Sequence, residues 1–280
     1  MPDIFYLVSK WWKQILLIVL LSLAVVGTIV FILPPKYLST TTALPASSYL
    51  KDKASIFNTN IQQLYPPMGI PDDLDMIVGT GQLDTVYIAV TKEFNLYDHY
   101  KTEEQGEAGV IKAAYLLKKN SKVIKSDFGE LKVKVWDTDK NLAPQLANAI
   151  MNNLNSIHQD IENSNNASIL DKLQEGKENL RADIRKLDSA ETITNTVPKE
   201  IASQRLILSD RLQQYETLIG QYKLMVDSKP PVLIIVEKAR ASSWPDKPKK
   251  VLLLTATFVL SLLFALLLVL LLEKRKSISQ

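Results

Sequence analysis

Cysteine is absent from these 280 residues. That excludes a disulfide framework, a thiolate zinc site and a cysteine nucleophile. Glycine is scarce, at nine residues, which leaves little material for a tight catalytic loop. The sequence contains no GxxxxGK[ST] phosphate loop, no GxSxG elbow and no HExxH pair. Histidine occurs twice, as His99 and His158. They fall on separate predicted elements and read as ordinary surface residues, His158 on a solvent-prone helix. Asp72, Asp73 and Asp75 lack the glycine and terminal glutamate of a calcium loop and read as a solvated acidic loop. No large excess of one charge exists either. Thirty-three basic residues against 30 acidic ones give a net charge of +3, so no nucleic-acid partner is expected. The expectation is a non-enzymatic chain, with no catalytic residue, no cofactor and no metal.

Two long apolar runs are present, one toward each end. Ile15–Leu33 and Val251–Leu272 contain no charged residue. As helices they reach about 28 Å and about 33 Å, enough to cross a hydrocarbon core of roughly 30 Å. The first is longer than a signal-peptide core and is followed by Leu33-Pro34-Pro35-Lys36, with no small-x-small cleavage site. It reads as an uncleaved anchor. Trp11 and Trp12 between Lys10 and Lys13 read as a cytoplasmic flank with an aromatic belt. Lys274, Arg275 and Lys276 fit the same side, although Lys247, Lys249 and Lys250 crowd the opposite flank of the second run. The expected organisation is a cytoplasmic N-terminus (1–14), a first transmembrane helix (15–33), an extracytoplasmic domain (34–250), a second transmembrane helix (251–272) and a cytoplasmic tail (273–280).

Within the domain, Tyr37–Leu44 is β-branched and aromatic between prolines, and predicts a strand. Residues 45–75 carry Pro66, Pro67 and Pro71 and read as irregular. Thr80–Asn95 predicts one helix, from Leu83, Val86, Tyr87, Val90 and Phe94, and Gly106–Lys119 predicts a short second one. Leu131–Trp136 alternates strictly and is the clearest strand. Asp137-Thr138-Asp139 then offers N-cap residues for a helix of about 70 Å. Its apolar stripe runs from Leu142 to Leu187, with a polar gap at Asn163–Asn166. Thr192–Pro198 ends it. A second helix, with Ile201, Leu208, Leu212, Tyr215, Ile219, Tyr222 and Met225, is expected to fold back antiparallel until Pro230-Pro231. Val232–Val236 predicts a last strand.

Because the first strand leaves one span and the last enters the other, both belong in one membrane-proximal sheet. The fold class is α+β: two transmembrane helices bracket an extracytoplasmic domain. That domain has a sheet-and-helix base (34–138 and 229–250) and a long antiparallel helical stalk (139–228).

Three features are candidate contact sites. Thr257, Ser261 and Ala265 stand four apart on the second span, a spacing that lets helices approach closely; the plainer alternative is lipid-facing placement. Pro245 and Pro248 stiffen the segment before that span, either as a stop before the helix or as a contact to a membrane partner. The polar face of the stalk, with Glu175, Glu178, Arg181, Asp183, Arg185 and Lys186, is either simply solvated or a contact surface.

Four blocks, in order, resemble the Wzz family of polysaccharide co-polymerases, the chain-length determinant proteins. They are Trp11-Trp12-Lys13 with Pro34-Pro35-Lys36-Tyr37, Thr80–Tyr100, Leu131–Ile150 and Glu237–Val251. The resemblance covers nearly the whole chain. It implies a ring-shaped homo-oligomer in the cytoplasmic (inner) membrane, with the large domain in the periplasm. It also implies a membrane polysaccharide polymerase and a lipid-linked glycan as partners, and control of polymer length as the function. An export-complex component and a two-span signalling receptor are the alternatives.

Overall fold

The computed structural model describes residues 4–46, 71–102, 106–194 and 199–278. The first helix, α1 (Ile4–Ile32), leaves helical geometry only at Trp11 (φ −114°, ψ 16°). The last, α8 (Lys250–Ile278), is helical throughout. Each contains 24 residues long and apolar enough to cross a membrane, Ser9–Ile32 and Lys250–Glu273. A globular core helix would be mostly buried, yet only 17% and 11% of these apolar windows are covered. The chain therefore reads as a membrane protein. The two helices pack on each other through Ile15 and Val19 of α1 and Ala265 and Val269 of α8.

Between them, four strands form one antiparallel sheet in the order β2-β3-β1-β4. β1 (Tyr37–Pro45) is central. It pairs with β3 (Leu131–Asp137) from Tyr37↔Asp137 to Ala43↔Leu131. On its other side it pairs with β4 (Leu233–Glu237), with a bulge at Thr42/Ala43. The strand leaving α1 and the strand leading back toward α8 thus share one sheet, as expected, and within it they are neighbours. Alternation places Leu131, Val133 and Val135 on the inner face, all 0% exposed. Lys132, Lys134 and Trp136 lie on the outer face, half-buried. Two inner-face hydroxyls of β1 find acceptors on the returning chain: Ser39 Oγ donates to Arg240 O (2.9 Å) and Thr41 Oγ1 to Glu237 O (2.9 Å).

β2 (Ser121–Lys125) was not expected from the sequence. It is short, three of its five residues are lysine or serine, and its pairing with β3 supplies what its own apolar pattern does not. A turn at Ser126–Glu130 closes this hairpin, with Gly129 at φ +73°.

Helices cover the inner face. Pro71 opens α2 (Pro71–Thr80) rather than ending a loop; at a first helical position its missing N–H is no loss. The rest of the expected irregular stretch, residues 47–70, lies outside the described residues. The helix expected over Thr80–Asn95 is present with tighter bounds. α2 ends at Thr80 and α3 runs Asp84–Glu93, followed by the short α4 (Leu96–His99). Gly81 lies in the turn between α2 and α3. A Cβ there would stand 2.9 Å from Val123 Cγ1, so only glycine lets this turn lie on β2. The Tyr87 hydroxyl donates back to Gly81 O at 2.8 Å. Burial and the nearby Asp84 carboxylate push that phenol up to about 12. α5 (Glu107–Lys119) completes the cover.

The long helix α6 (Leu142–Thr194) holds 53 residues without a break, about 80 Å of rise. The polar gap at Asn163–Asn166 does not interrupt it, because four polar residues in an otherwise periodic helix remove packing but no backbone hydrogen bond. Part of the expected break, residues 195–198, lies outside the described residues. α7 (Lys199–Ser228) returns along α6. Tyr222 and Met225 pack with Leu170, Leu173 and Leu218. Gly176 lets Tyr215 lie against α6, since a Cβ there would stand 2.7 Å from Tyr215 Cε1. Ion pairs cross the hairpin from Glu216 to Lys177 (3.2 Å) and Arg181 (3.3 Å). Such exposed pairs contribute at most about 1 kcal/mol each.

Candidate functional site at the membrane-proximal junction

The chain crosses between membrane-length helices and domain at two points, and the structure joins them. Lys36, four residues after the end of α1, forms an antiparallel bridge with Lys247, just before α8. Lys36 N donates to Lys247 O at 2.9 Å, and Asp246 N donates to Lys36 O at 2.9 Å. Lys36 Nζ donates to Asn120 Oδ1 at 2.7 Å, and the Asn120 carbonyl accepts from Trp136 N at 2.8 Å. Thus α1, the α5–β2 corner, β3 and the segment before α8 meet in one place.

Trp136 is the centre of this lock. Its position on the outer sheet face puts the indole over the proline-containing segment. Nε1 donates to Asp246 Oδ2 at 2.7 Å, and Lys247 Nζ lies 3.9 Å from the ring centroid. The segment is clamped by a charge-assisted hydrogen bond and a cation–π contact on one side chain.

One residue on, Asp137 falls on the inner face and is 2% exposed. Its carboxylate collects three partners: His99 Nε2 at 2.8 Å, Tyr100 Oη at 2.9 Å and the backbone N–H of Asp139 at 2.9 Å. A buried carboxylate requires such donors. Burial, and then the Asp137 carboxylate, hold the Tyr100 phenol well above its ordinary value, so it stays a donor. The cluster fixes α4 to the start of α6. Three donors converging on one carboxylate make a positioning device.

Higher up, α6 holds the returning chain with amide side chains. Asn155 Oδ1 accepts from Val232 N (3.1 Å) and Leu233 N (2.8 Å). Asn148 Oδ1 accepts from Ala239 N at 2.9 Å. Gln159 Nε2 donates to Lys229 O. Lys229 itself turns the chain out of α7 at φ +42°.

His158 is buried at 1% exposure. The surface placement expected for it is overturned, because α2 covers this face of α6: Nε2 lies 3.0 Å from Thr80 Oγ1. Burial lowers its pKa. His99 is bound to Asp137 and shares no cluster with His158. Among the described residues, no group of three or more potential metal ligands occurs.

The sequence-derived candidates fall in two places. Pro245 is exposed and Pro248 half-buried; both flank the clamped pair Asp246-Lys247. Ala265 (0% exposed) and Ser261 (7%) face α1, and Thr257 is half-buried. The hydroxyls of Thr257 and Ser261 donate within their own helix, to Leu253 O (2.7 Å) and Phe258 O (3.0 Å). At the other end of the helix pair, Glu273 accepts from Lys10 Nζ (2.7 Å) and Trp11 Nε1 (3.1 Å).

Sequence reasoning took Asp137 only as a helix cap and missed Trp136–Asp246. The signal for Asp137 was present: continuing the alternation of Leu131, Val133 and Val135 puts a carboxylate on the buried face. The Trp136 partner had no local signal, since Asp246 is 110 residues away in sequence.

No family model matches the chain, and no curated protein matches it. Among solved structures, it is similar to a full-length bacterial polysaccharide co-polymerase. That likeness has a TM-score of 0.45 and 15% identity, over 99% of this chain and 98% of the other. It is also similar to a fragment of WzzB, a polysaccharide co-polymerase from Salmonella Typhimurium. There the TM-score is 0.36 and identity 14%, over 76% of this chain and all of that one.

Proposed function

We propose that this chain is a non-enzymatic membrane scaffold that regulates the chain length of a surface polysaccharide such as O-antigen, capsule or exopolysaccharide. In this reading both termini are cytoplasmic, the spans cross the inner membrane and the base and stalk stand in the periplasm. Identical subunits assemble into a ring beside a membrane polymerase that extends a lipid-linked glycan.

The observation that carries the reading is the junction. Two membrane-length helices, a sheet and an 80 Å helix (about 1.5 Å for each of its 53 residues) are joined at Lys36, Trp136 and Asp246 into one continuous mechanical path. A stalk mounted in that way holds a fixed position above the membrane. That is the physical requirement for a device that acts on a polymer growing from the bilayer. The four sequence blocks add the class of process.

Deleting the gene and separating the surface polysaccharides by size tests this. A clustered length distribution that becomes random supports length control. Loss of all surface polymer places the chain in export instead, and an unchanged distribution favours the receptor reading.

A further inference from the structure

Trp244 is 82% exposed, although the segment that bears it is clamped at Asp246. The loop geometry accounts for this. Arg240 lies level with Ser39, whose hydroxyl it accepts, and Asp246 lies level with Lys36. From Lys36 into β1 those levels are three residues apart, about 10 Å, whereas the six steps from Arg240 to Asp246 reach about 20 Å when extended. The surplus chain forms a loop closed by Ser242, whose Oγ donates to Trp244 O at 2.8 Å. Trp244 stands on that loop, next to the place where α1 and α8 leave the domain. Lys249 and Lys250 follow and are exposed, and Lys250 Nζ lies 4.4 Å from the centroid of Phe31, close to the end of α1. The one acid of residues 244–250, Asp246, is taken by Trp136.

We propose that this loop is an anchor in the lipid headgroup layer: the Trp244 indole sits at the membrane interface and Lys249 and Lys250 bind lipid phosphates. An indole combines an apolar body with one polar N–H, which suits a layer that is apolar on one side and wet on the other. Lysine stems run along apolar surface while their ammonium groups reach the phosphates. Because Asp246 and Lys247 are fixed to Lys36, the anchor sets the height and tilt of the sheet above the bilayer. The inference is independent of the polysaccharide reading.

The test uses the full chain in lipid nanodiscs. The emission of Trp244 is obtained as the difference between the native chain and Trp244→Phe, an exposed substitution that leaves the core untouched. Lipids brominated high on the acyl chain are expected to quench most of that difference emission, while an aqueous quencher removes little. Lys249→Glu with Lys250→Glu is expected to reduce the bromolipid quenching when the nanodisc is anionic. Emission quenched only from water overturns the proposal. So does emission shielded from both quenchers, which would mean that a second copy or another protein covers Trp244.

Discussion

The indole of Trp136 donates to the carboxylate of Asp246 at 2.7 Å, joining the third strand to the segment that enters the last helix. Trp136→Phe keeps most of the apolar body and removes the donor. A hydrogen bond to a charged group is worth about 1.5–3 kcal/mol, so that loss is expected in the thermal unfolding of the detergent-solubilised protein. Limited proteolysis should begin within residues 240–249 in the variant and not in the native chain. Equal melting temperatures and equal cleavage would show that the bond holds nothing.

Asp137→Asn tests the buried cluster. The amide replaces an acceptor-only group with one that carries N–H donors toward His99, Tyr100 or the Asp139 N–H. At least one contact is lost, at a cost of about 1–3 kcal/mol. The expected readout is a lower melting temperature. A melting temperature unchanged by Asp137→Asn would contradict a carboxylate held by three donors.

In the stalk, Gly176→Ala puts a methyl group 2.7 Å from Tyr215 Cε1. Overpacking of this kind costs about 1–3 kcal/mol, partly offset by the roughly 1 kcal/mol gain in helix propensity. Against Tyr215→Ala the same change should be neutral or stabilising. The four-variant cycle isolates the contact, and a coupling energy of zero would remove it.

His158 gives the domain a pH dependence with a definite sign. Its folded pKa lies below the ordinary 6.5 because burial disfavours the charged form. The unfolded chain therefore binds the proton more readily, and unfolding gains as pH falls. The stabilisation is complete above about pH 6.5 and is lost as pH falls below it toward the folded value. His158→Gln, which can still bond Thr80, should flatten the acid side of the stability curve relative to the native chain. Parallel curves for the two proteins would contradict it.

On the second apolar helix, Ala265→Leu forces three carbons into the contact with Ile15 and Val19. Overpacking there should cost about 1–3 kcal/mol of helix pairing. Crosslinking between cysteines placed at the Lys10 and Glu273 ends, joined in the native chain at 2.7 Å, should fall in the variant. Undiminished crosslinking would show that Ala265 does not set the approach of the helices.

The elements with strong periodicity were readable from sequence. Leu131–Trp136, the two apolar runs and the stripe of α6 each repeat one physical pattern over enough residues to be unambiguous. That β1 and β4 share one sheet followed from connectivity, since both strands adjoin an apolar run; their direct pairing did not. What escaped was set at long range. β2 is a strand because β3 pairs with it, and the helix expected from Thr80 starts only at Asp84, after a turn in which Gly81 lies on Val123. His158 is buried because α2, contributed from 78 residues away, covers it. The junction was half legible: Pro245 and Pro248 marked the segment, while Trp136 and Lys36 gave no local sign of being its partners.

The length distribution of the surface polysaccharide in a deletion strain that is then resupplied with this chain is the most direct test. Two chains are compared at matched levels: the intact one, and one with Trp136→Phe and Asp246→Ala together. The expected result is a random distribution without the chain, a clustered one with the intact chain, and a broadened one with the opened junction. A clustered distribution in the deletion strain itself, or one that the intact chain does not restore, would contradict the role proposed for it.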